Sequence, residues 1–167
     1  MKKILVPIDF SDVTGKVIRK AVDMAKAFDA ELKIIHVAPP VAYEVRNKIE
    51  TQIMPGLGEM GGNVAGYVSY DLARDQIASK LKLEHSKLLE IKEHIENKNI
   101  RTSAFLYEGK VLETILDQVE DYKPDVLILG SHGHGYMHKV LLGSVAVAVI
   151  KSLKCPVLII PAKENND

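Results

Sequence analysis

Short apolar runs, each too brief for a helix, constrain this chain more than any other feature. Residues 126–129 read Val-Leu-Ile-Leu and residues 157–160 read Val-Leu-Ile-Ile, with no polar residue inside either run. A strand with one wet face alternates apolar and polar side chains. An unbroken run is buried on both faces, as in a parallel sheet held between helical layers. Residues 3–8, 32–37 and 100–107 are also strand-sized and carry branched side chains.

Helix-sized segments fill the gaps. Val17, Ala21, Met24, Ala25 and Phe28 recur at helical spacing and give one apolar face, with Ser11 or Thr14 placed to cap it. Ile77, Leu81, Leu88, Ile91 and Ile95 mark a longer helix whose Lys82, Glu84, Lys87, Glu90, Lys92 and Glu93 point mostly to solvent. Leu112, Ile115, Leu116 and Val119 mark a third helix, and residues 144–153 a fourth. Strands alternating with helices predict an α/β fold with five parallel strands and, through right-handed crossovers, helices on both faces. At 167 residues the chain reads as a single domain, 1–167.

One stretch breaks the rhythm. Residues 38–70 hold Pro39, Pro40 and Pro55, then Gly56, Gly58, Gly61, Gly62 and Gly66. Connections in α/β units run to about 2–6 residues, so this reads as a long loop insertion. Two roles stay open: a tolerated surface excursion, or a lid at 54–68 that could bring Tyr67 and Tyr70 over a ligand. Val41, Tyr43, Val45 and Ile49 could form a short helical strip at its start.

Charge and cysteine narrow the classes. Twenty-two basic and 22 acidic residues cancel, against the cationic surface of a general nucleic-acid binder. No apolar run approaches the ~18 residues that span a bilayer, and Met1–Asp9 lacks a signal-peptide pattern. Cys155 stands alone, so no intrachain disulfide forms. Its place before Pro156 and a buried strand reads as a structural thiol. These features predict a cytoplasmic location with no membrane partner.

The chemistry gathers in Gly130-Ser131-His132-Gly133-His134-Gly135-Tyr136-Met137-His138-Lys139-Val140-Leu141-Leu142-Gly143-Ser144, directly after the run 126–129. Glycines allow close backbone approach, and a following helix N-terminus offers free amides and a positive dipole end, an anion cradle. Ser144 suits both an N-cap and a hydroxyl donor to phosphate. The Walker pattern is absent, and Gly133-His134-Gly135 fails the dinucleotide pattern at His138. His132, His134 and His138 do not share a helix face and have no carboxylate or cysteine to complete a zinc set. Asp9 keeps two readings, a helix-capping residue or a ligand contact. His36 reads as packed in an apolar strand.

The spacing Gly-x2-Gly-x9-Gly-Ser, from Gly130, Gly133 and Gly143 to Ser144, resembles the ATP-binding branch of the universal stress protein family. Val6-Pro7-Ile8-Asp9-Phe10-Ser11 is similar to that family's first strand, and Cys155-Pro156-Val157-Leu158-Ile159-Ile160-Pro161 to its last. Glu108-Gly109 and Pro124-Asp125-Val126-Leu127-Ile128-Leu129-Gly130 follow in the family's order. The resemblance covers nearly the whole chain outside 38–70. It implies a Rossmann-like, adenine nucleotide alpha hydrolase-like sheet of order 3-2-1-4-5. It also implies a homodimer paired through the C-terminal strand, and ATP as ligand, with Mg²⁺ held mainly by the triphosphate.

By that resemblance the cofactor-binding residues are Pro7, Asp9, Val37, Leu129, Gly130, His132, Gly133, Gly143, Ser144 and Val145. Asp9 approaches the nucleoside, Val37 meets adenine through its backbone, and the glycine segment, Ser144 and the Val145 amide wrap ribose and phosphates. The chain departs from the family at His134, where a basic residue is common; Lys139 is a second source of charge. No Ser–His–Asp order, Cys–His pair or two-metal motif is present, so no catalytic residue is assigned. The function expected is a nucleotide-dependent regulator in stress response, acting on an unidentified protein partner. A slow ATPase or other ATP-using enzyme is the alternative.

Overall fold

The computed structural model describes residues 1–48, 63–132 and 142–162. Five strands, β1 (Lys3–Ile8), β2 (Glu31–Ala38), β3 (Thr102–Glu108), β4 (Val126–Gly130) and β5 (Val157–Ile160), form one sheet of order β3-β2-β1-β4-β5. All pairings are parallel, with Pro7 opposite Ile35, Leu5 opposite Leu127 and Leu129 opposite Ile159. The unbroken run 126–129 is buried throughout, as a strand between two layers must be. Both the parallel sheet and its 3-2-1-4-5 order match the sequence expectation.

Alternation along β1 and β2 separates two cores. Val6, Ile8, Leu32 and Ile34 face α1 (Thr14–Phe28) and the second half of α3 (Asn63–Glu96). Leu5, Ile35, Leu127 and Leu129 face α4 (Val111–Tyr122) and α5 (Ser144–Ser152). The α1 and α4 helices stop at Asp29 and Lys123, both left-handed (φ 49° and 51°), whose amides return to Ala25 and Val119.

Three local expectations are corrected. Within 38–70, Val41–Lys48 is helix α2, where the sequence leaves a short helical strip open, but α3 begins at Asn63 rather than near Ile77. Residues 38–70 are therefore not loop throughout, and most of the lid segment lies outside the described residues. Val41 and Val45 of α2 pack against Ala73, Ile77 and Leu81 of α3, giving those helices a small core of their own. Phe28 lies at the last residue of α1, beyond the buried Ala25, and stays 50% exposed although its spacing fits the apolar stripe. Finally, Ser11 and Thr14 do not cap α1. Val13 holds the N-cap position with no side-chain cap bond.

Candidate functional site

The chain leaves β1 for α1 on one face and β4 for α5 on the other, so a crevice opens beyond the carboxyl ends of these neighbouring strands. This is the switch point where open α/β sheets take ligands. A cavity of about 530 Å³ occupies it. Pro7, Ile35, Val37 and Leu129 supply apolar walls from the strands, and Val145 and Ala146 close it from α5. Asp9, Gly130, His132, Gly143 and Ser144 also line it. Every cofactor-binding candidate except Gly133 thus borders one cavity. Gly133, His134 and Lys139 lie outside the described residues.

Asp9 is the sole carboxylate among the described lining residues. Its Oδ1 accepts the Ser11 amide at 3.1 Å, the Ser11 hydroxyl at 2.6 Å and the Thr14 hydroxyl at 3.4 Å. The two hydroxyls proposed as caps therefore fix the carboxylate instead. Competition between side-chain and backbone acceptors at a strand-to-helix turn decides which arrangement wins. Phe10, at φ 62°, carries the chain around this corner in a conformation that costs a non-glycine residue free energy.

Gly130 is a glycine for a packing reason. A Cβ built there would lie 2.5 Å from Val13 Cγ1 and 3.1 Å from the His132 carbonyl oxygen. The first turn of α1 can cross the end of β4 only because that atom is missing. Ser131, 3% exposed, ties the glycine-rich segment together. Its amide donates to Ile160 O at 2.8 Å, its carbonyl accepts the Gly143 amide at 2.6 Å, and its hydroxyl accepts the Ala162 amide at 3.2 Å. Residues on either side of 133–141 are thereby held as neighbours. Gly143, not Ser144, is the N-cap residue of α5, and Ser144 opens the helix with its side chain exposed at the cavity rim.

Beneath the site, His36 is buried as expected, yet Glu84 is turned inward rather than toward solvent. His36 Nδ1 lies 2.9 Å from Ile8 O, and its Nε2 lies 3.4 Å from Glu84 Oε2. The Phe10 ring tilts over the imidazole with centroids 4.7 Å apart. Glu84 Oε2 is buried with no hydrogen bond among the described residues, so the His36 ring is the polar group it faces. Lys80 bridges onward, 3.0 Å from Glu44 of α2 and 4.0 Å from Glu84. A chain of polar contacts thus runs from α2 through α3 and His36 of β2 to the Ile8 carbonyl at the end of β1.

Sequence reading missed Thr14 and the α4 wall of Val111 and Ile115. Val111 and Ile115 stand one turn apart at the start of α4, a spacing visible in the sequence but without direction until α4 is docked. Burial raises the Cys155 thiol above its ordinary pKa, with opposing and assisting effects from the Leu127 amide and Asp125. That agrees with a structural thiol. Among the described residues no three His, Cys, Asp or Glu side chains converge to hold a metal. No described helix is long and apolar enough to cross a membrane.

The universal stress protein family model matches residues 1–161. The chain is 32% identical over 166 residues to Universal stress protein MJ0531 of Methanocaldococcus jannaschii, covering 98% of this chain and 85% of that protein. It is 30% identical over 159 residues to Universal stress protein YxiE of Bacillus subtilis, covering 95% and 97% respectively. It superimposes on the solved structure of MJ0577 of M. jannaschii with a TM-score of 0.72 at 26% identity, over 98% of each chain. Likenesses that bear on the fold alone include a universal stress protein in complex with cAMP (TM-score 0.59, 19% identity, 97% of this chain and 98% of that one). Another is an Archaeoglobus fulgidus universal stress protein in complex with dAMP (0.58, 18%, 96% and 98%).

Proposed function

Because the chain belongs to the universal stress protein family, we propose that it binds an adenine nucleotide, ATP foremost, in the crevice between β1 and β4. The observation that carries this reading is one cavity with apolar walls at the switch point, bordered by the glycine-rich segment and the first turn of α5. Apolar walls from Ile35, Val37 and Leu129 suit a purine, and in this reading the Val37 backbone meets its edge. Asp9, with its carboxylate already oriented by Ser11 and Thr14, suits ribose hydroxyls. Gly130, Gly133, Gly143, Ser144 and the Val145 amide suit phosphates at a helix N-terminus, with Pro7 and His132 completing the rim. Two family members in complexes with cAMP and dAMP fit the same ligand class.

Mg²⁺ would enter with the triphosphate. Asp9 is the one carboxylate among the described lining residues, so the phosphates and water would supply most of its ligands. This chain's part is to bind and orient the nucleotide; no general base is assigned. Ligand-dependent change in the surface around the crevice would serve a nucleotide-dependent regulator in stress response, in the cytoplasm. A homodimer through β5 belongs to the same reading, since β5 is an edge strand. The carbonyls of Pro156 and Ile160 accept from Leu127 of β4 and from Ser131 just beyond it, so Ile159, on the opposite backbone phase, presents its amide outward. Ile159→Pro removes that donor and should leave a monomer by light scattering.

Identification by mass of small molecules released on denaturing the purified protein, followed by calorimetric titration with ATP and Mg²⁺, tests the ligand. An adenine nucleotide released from wild type, and loss of ATP binding in Gly143→Val with the fold retained by circular dichroism, are expected. Equal binding by wild type and Gly143→Val would remove the placement. Steady phosphate release during the titration would favour the ATP-using enzyme instead.

A further inference from the structure

Beneath the crevice, the polar atoms around His36 cannot all be satisfied unless a proton lies between two of them. His36 is 7% exposed on β2, with Nδ1 2.9 Å from the Ile8 carbonyl oxygen. A carbonyl only accepts, so Nδ1 carries the hydrogen. In a neutral ring Nε2 is then an acceptor, and it faces Glu84 Oε2 at 3.4 Å. That oxygen is buried and has no hydrogen bond among the described residues. An ionised carboxylate only accepts as well, so two buried acceptors would face each other, a clash that one proton removes. On Nε2 the proton makes an imidazolium beside a carboxylate; on Oε2 it makes a carboxylic acid beside a neutral ring. Either way the pair is neutral, whereas without the proton it holds a net negative charge in a buried place.

Neighbouring charges act elsewhere. Lys80 of α3 approaches the other oxygen, Glu84 Oε1, at 4.0 Å and is held more closely by Glu44 of α2 at 3.0 Å. Lys87 of α3 lies 5.9 Å from the Phe10 ring centroid, and Phe10 covers the imidazole.

The pair reaches the crevice through the backbone. Ile8 is the last residue of β1, and its carbonyl opens the turn that carries Asp9, Phe10 and Ser11. His36 holds that carbonyl and packs on Phe10, the residue at φ 62°. Neither His36 nor Glu84 is among the described lining residues, although Ile35 and Val37 on either side of His36 are.

We propose that Glu84 and His36 are positioning residues for Asp9, joined by a single proton between Oε2 and Nε2 and acting through the Ile8 carbonyl and Phe10. The consequence for binding rests on the nucleotide reading above: α3, although outside the crevice, helps to present Asp9 to the ligand. Loss of the Glu84 carboxyl frees the imidazole to turn away from Ile8, and the turn loosens. Glu84→Gln supplies an amide donor to Nε2 and holds the ring without the shared proton.

Hydrogen exchange at the Ser11 amide, which donates to Asp9 Oδ1 at 3.1 Å, reads the turn directly. Glu84→Ala should speed it several-fold and leave the Leu127 amide, bonded to Pro156 O, unchanged. Glu84→Gln should restore wild-type exchange. Nitrogen-15 resonances of the His36 ring read the proton. At neutral pH the wild type should show both ring nitrogens protonated, or Nδ1 alone beside a protonated Glu84 carboxyl; Glu84→Gln should show Nδ1 alone. ATP affinity should follow Ser11 exchange, several-fold weaker in Glu84→Ala and near wild type in Glu84→Gln. Unchanged Ser11 exchange in Glu84→Ala, equal effects of the two variants, or a neutral ring beside an ionised Glu84 would each overturn the proposal. A wild type that binds no ATP would remove the nucleotide reading, while Ser11 exchange and the ring resonances, which need no nucleotide, would still decide the pair.

Discussion

Gly130→Ala is the sharpest perturbation the structure offers, because it adds one methyl group at a known distance from one neighbour. The new Cβ would lie 2.5 Å from Val13 Cγ1, against an optimum of about 3.5–4.0 Å for two carbons. One atom must therefore retreat by about 1 Å. Val13 is 5% exposed at the N-cap of α1, and the His132 carbonyl blocks the other direction at 3.1 Å. Gly130 has no left-handed φ, so the cost is contact rather than backbone strain. Overpacking of this size costs about 1–3 kcal/mol.

Val13→Ala alone removes two buried methyl groups, at about 0.8 kcal/mol each plus a cavity contribution. It also removes the atom that collides. In the double variant the new methyl enters the vacated space, so the combined loss should fall short of the sum by about 1–2 kcal/mol. Urea unfolding of the wild type, both single variants and the double variant measures all four corners of the cycle. Additive losses, or a Gly130→Ala protein as stable as wild type, would refute the claim that Gly130 exists to admit Val13. The same variants report on function, since α1 begins next to Asp9: Gly130→Ala should weaken ATP binding and Val13→Ala should partly restore it.

Glu84→Ala should cost about 1–3 kcal/mol in urea unfolding, since it leaves His36 Nε2 buried without its partner. Glu84→Gln keeps the shape and can offer either a donor or an acceptor, so it should cost clearly less; equal losses would mean the contact contributes only packing. Burial and the hydrogen bond to Glu31 Oε1 at 3.0 Å raise the Tyr122 hydroxyl well above its ordinary pKa of 10.0. The folded state thus holds this proton more tightly than the unfolded chain does. The resulting stability is fully present below about pH 10 and declines as pH rises above it toward the folded value. Urea midpoints measured from pH 8 upward should fall more steeply for wild type than for Tyr122→Phe, and parallel curves would count against this assignment.

How much of the fold was legible in the sequence follows from which forces are local. A run such as 126–129 has no polar side to offer water, so burial on both faces is settled by the four residues alone, and a parallel sheet follows. The strand order came from the resemblance, carried by residues at both ends of the chain. The resemblance also assigned Asp9, Gly130 and Gly143 to one site, and the structure brings them to one crevice.

The misplaced residues share a different cause. Helical spacing tells which side chains share a face, but the element opposite that face is set by chain far away in sequence. The stripe of α3 meets α2 at Ala73 and Ile77, then the sheet at Leu88 and Ile95, so its partner changes along its length. Glu84 lies between these two contacts, and His36, far earlier in the chain, turns it inward. Asp9, Ser11 and Thr14 could have arranged their hydrogen bonds in several ways, and the closure of α1 over β4 selected one. Sequence alone determined which segments are buried and where the glycine segment falls. Only the tertiary structure decided what each polar group meets, because a hydrogen bond or ion pair depends on one neighbour's position whereas burial of apolar surface is non-directional.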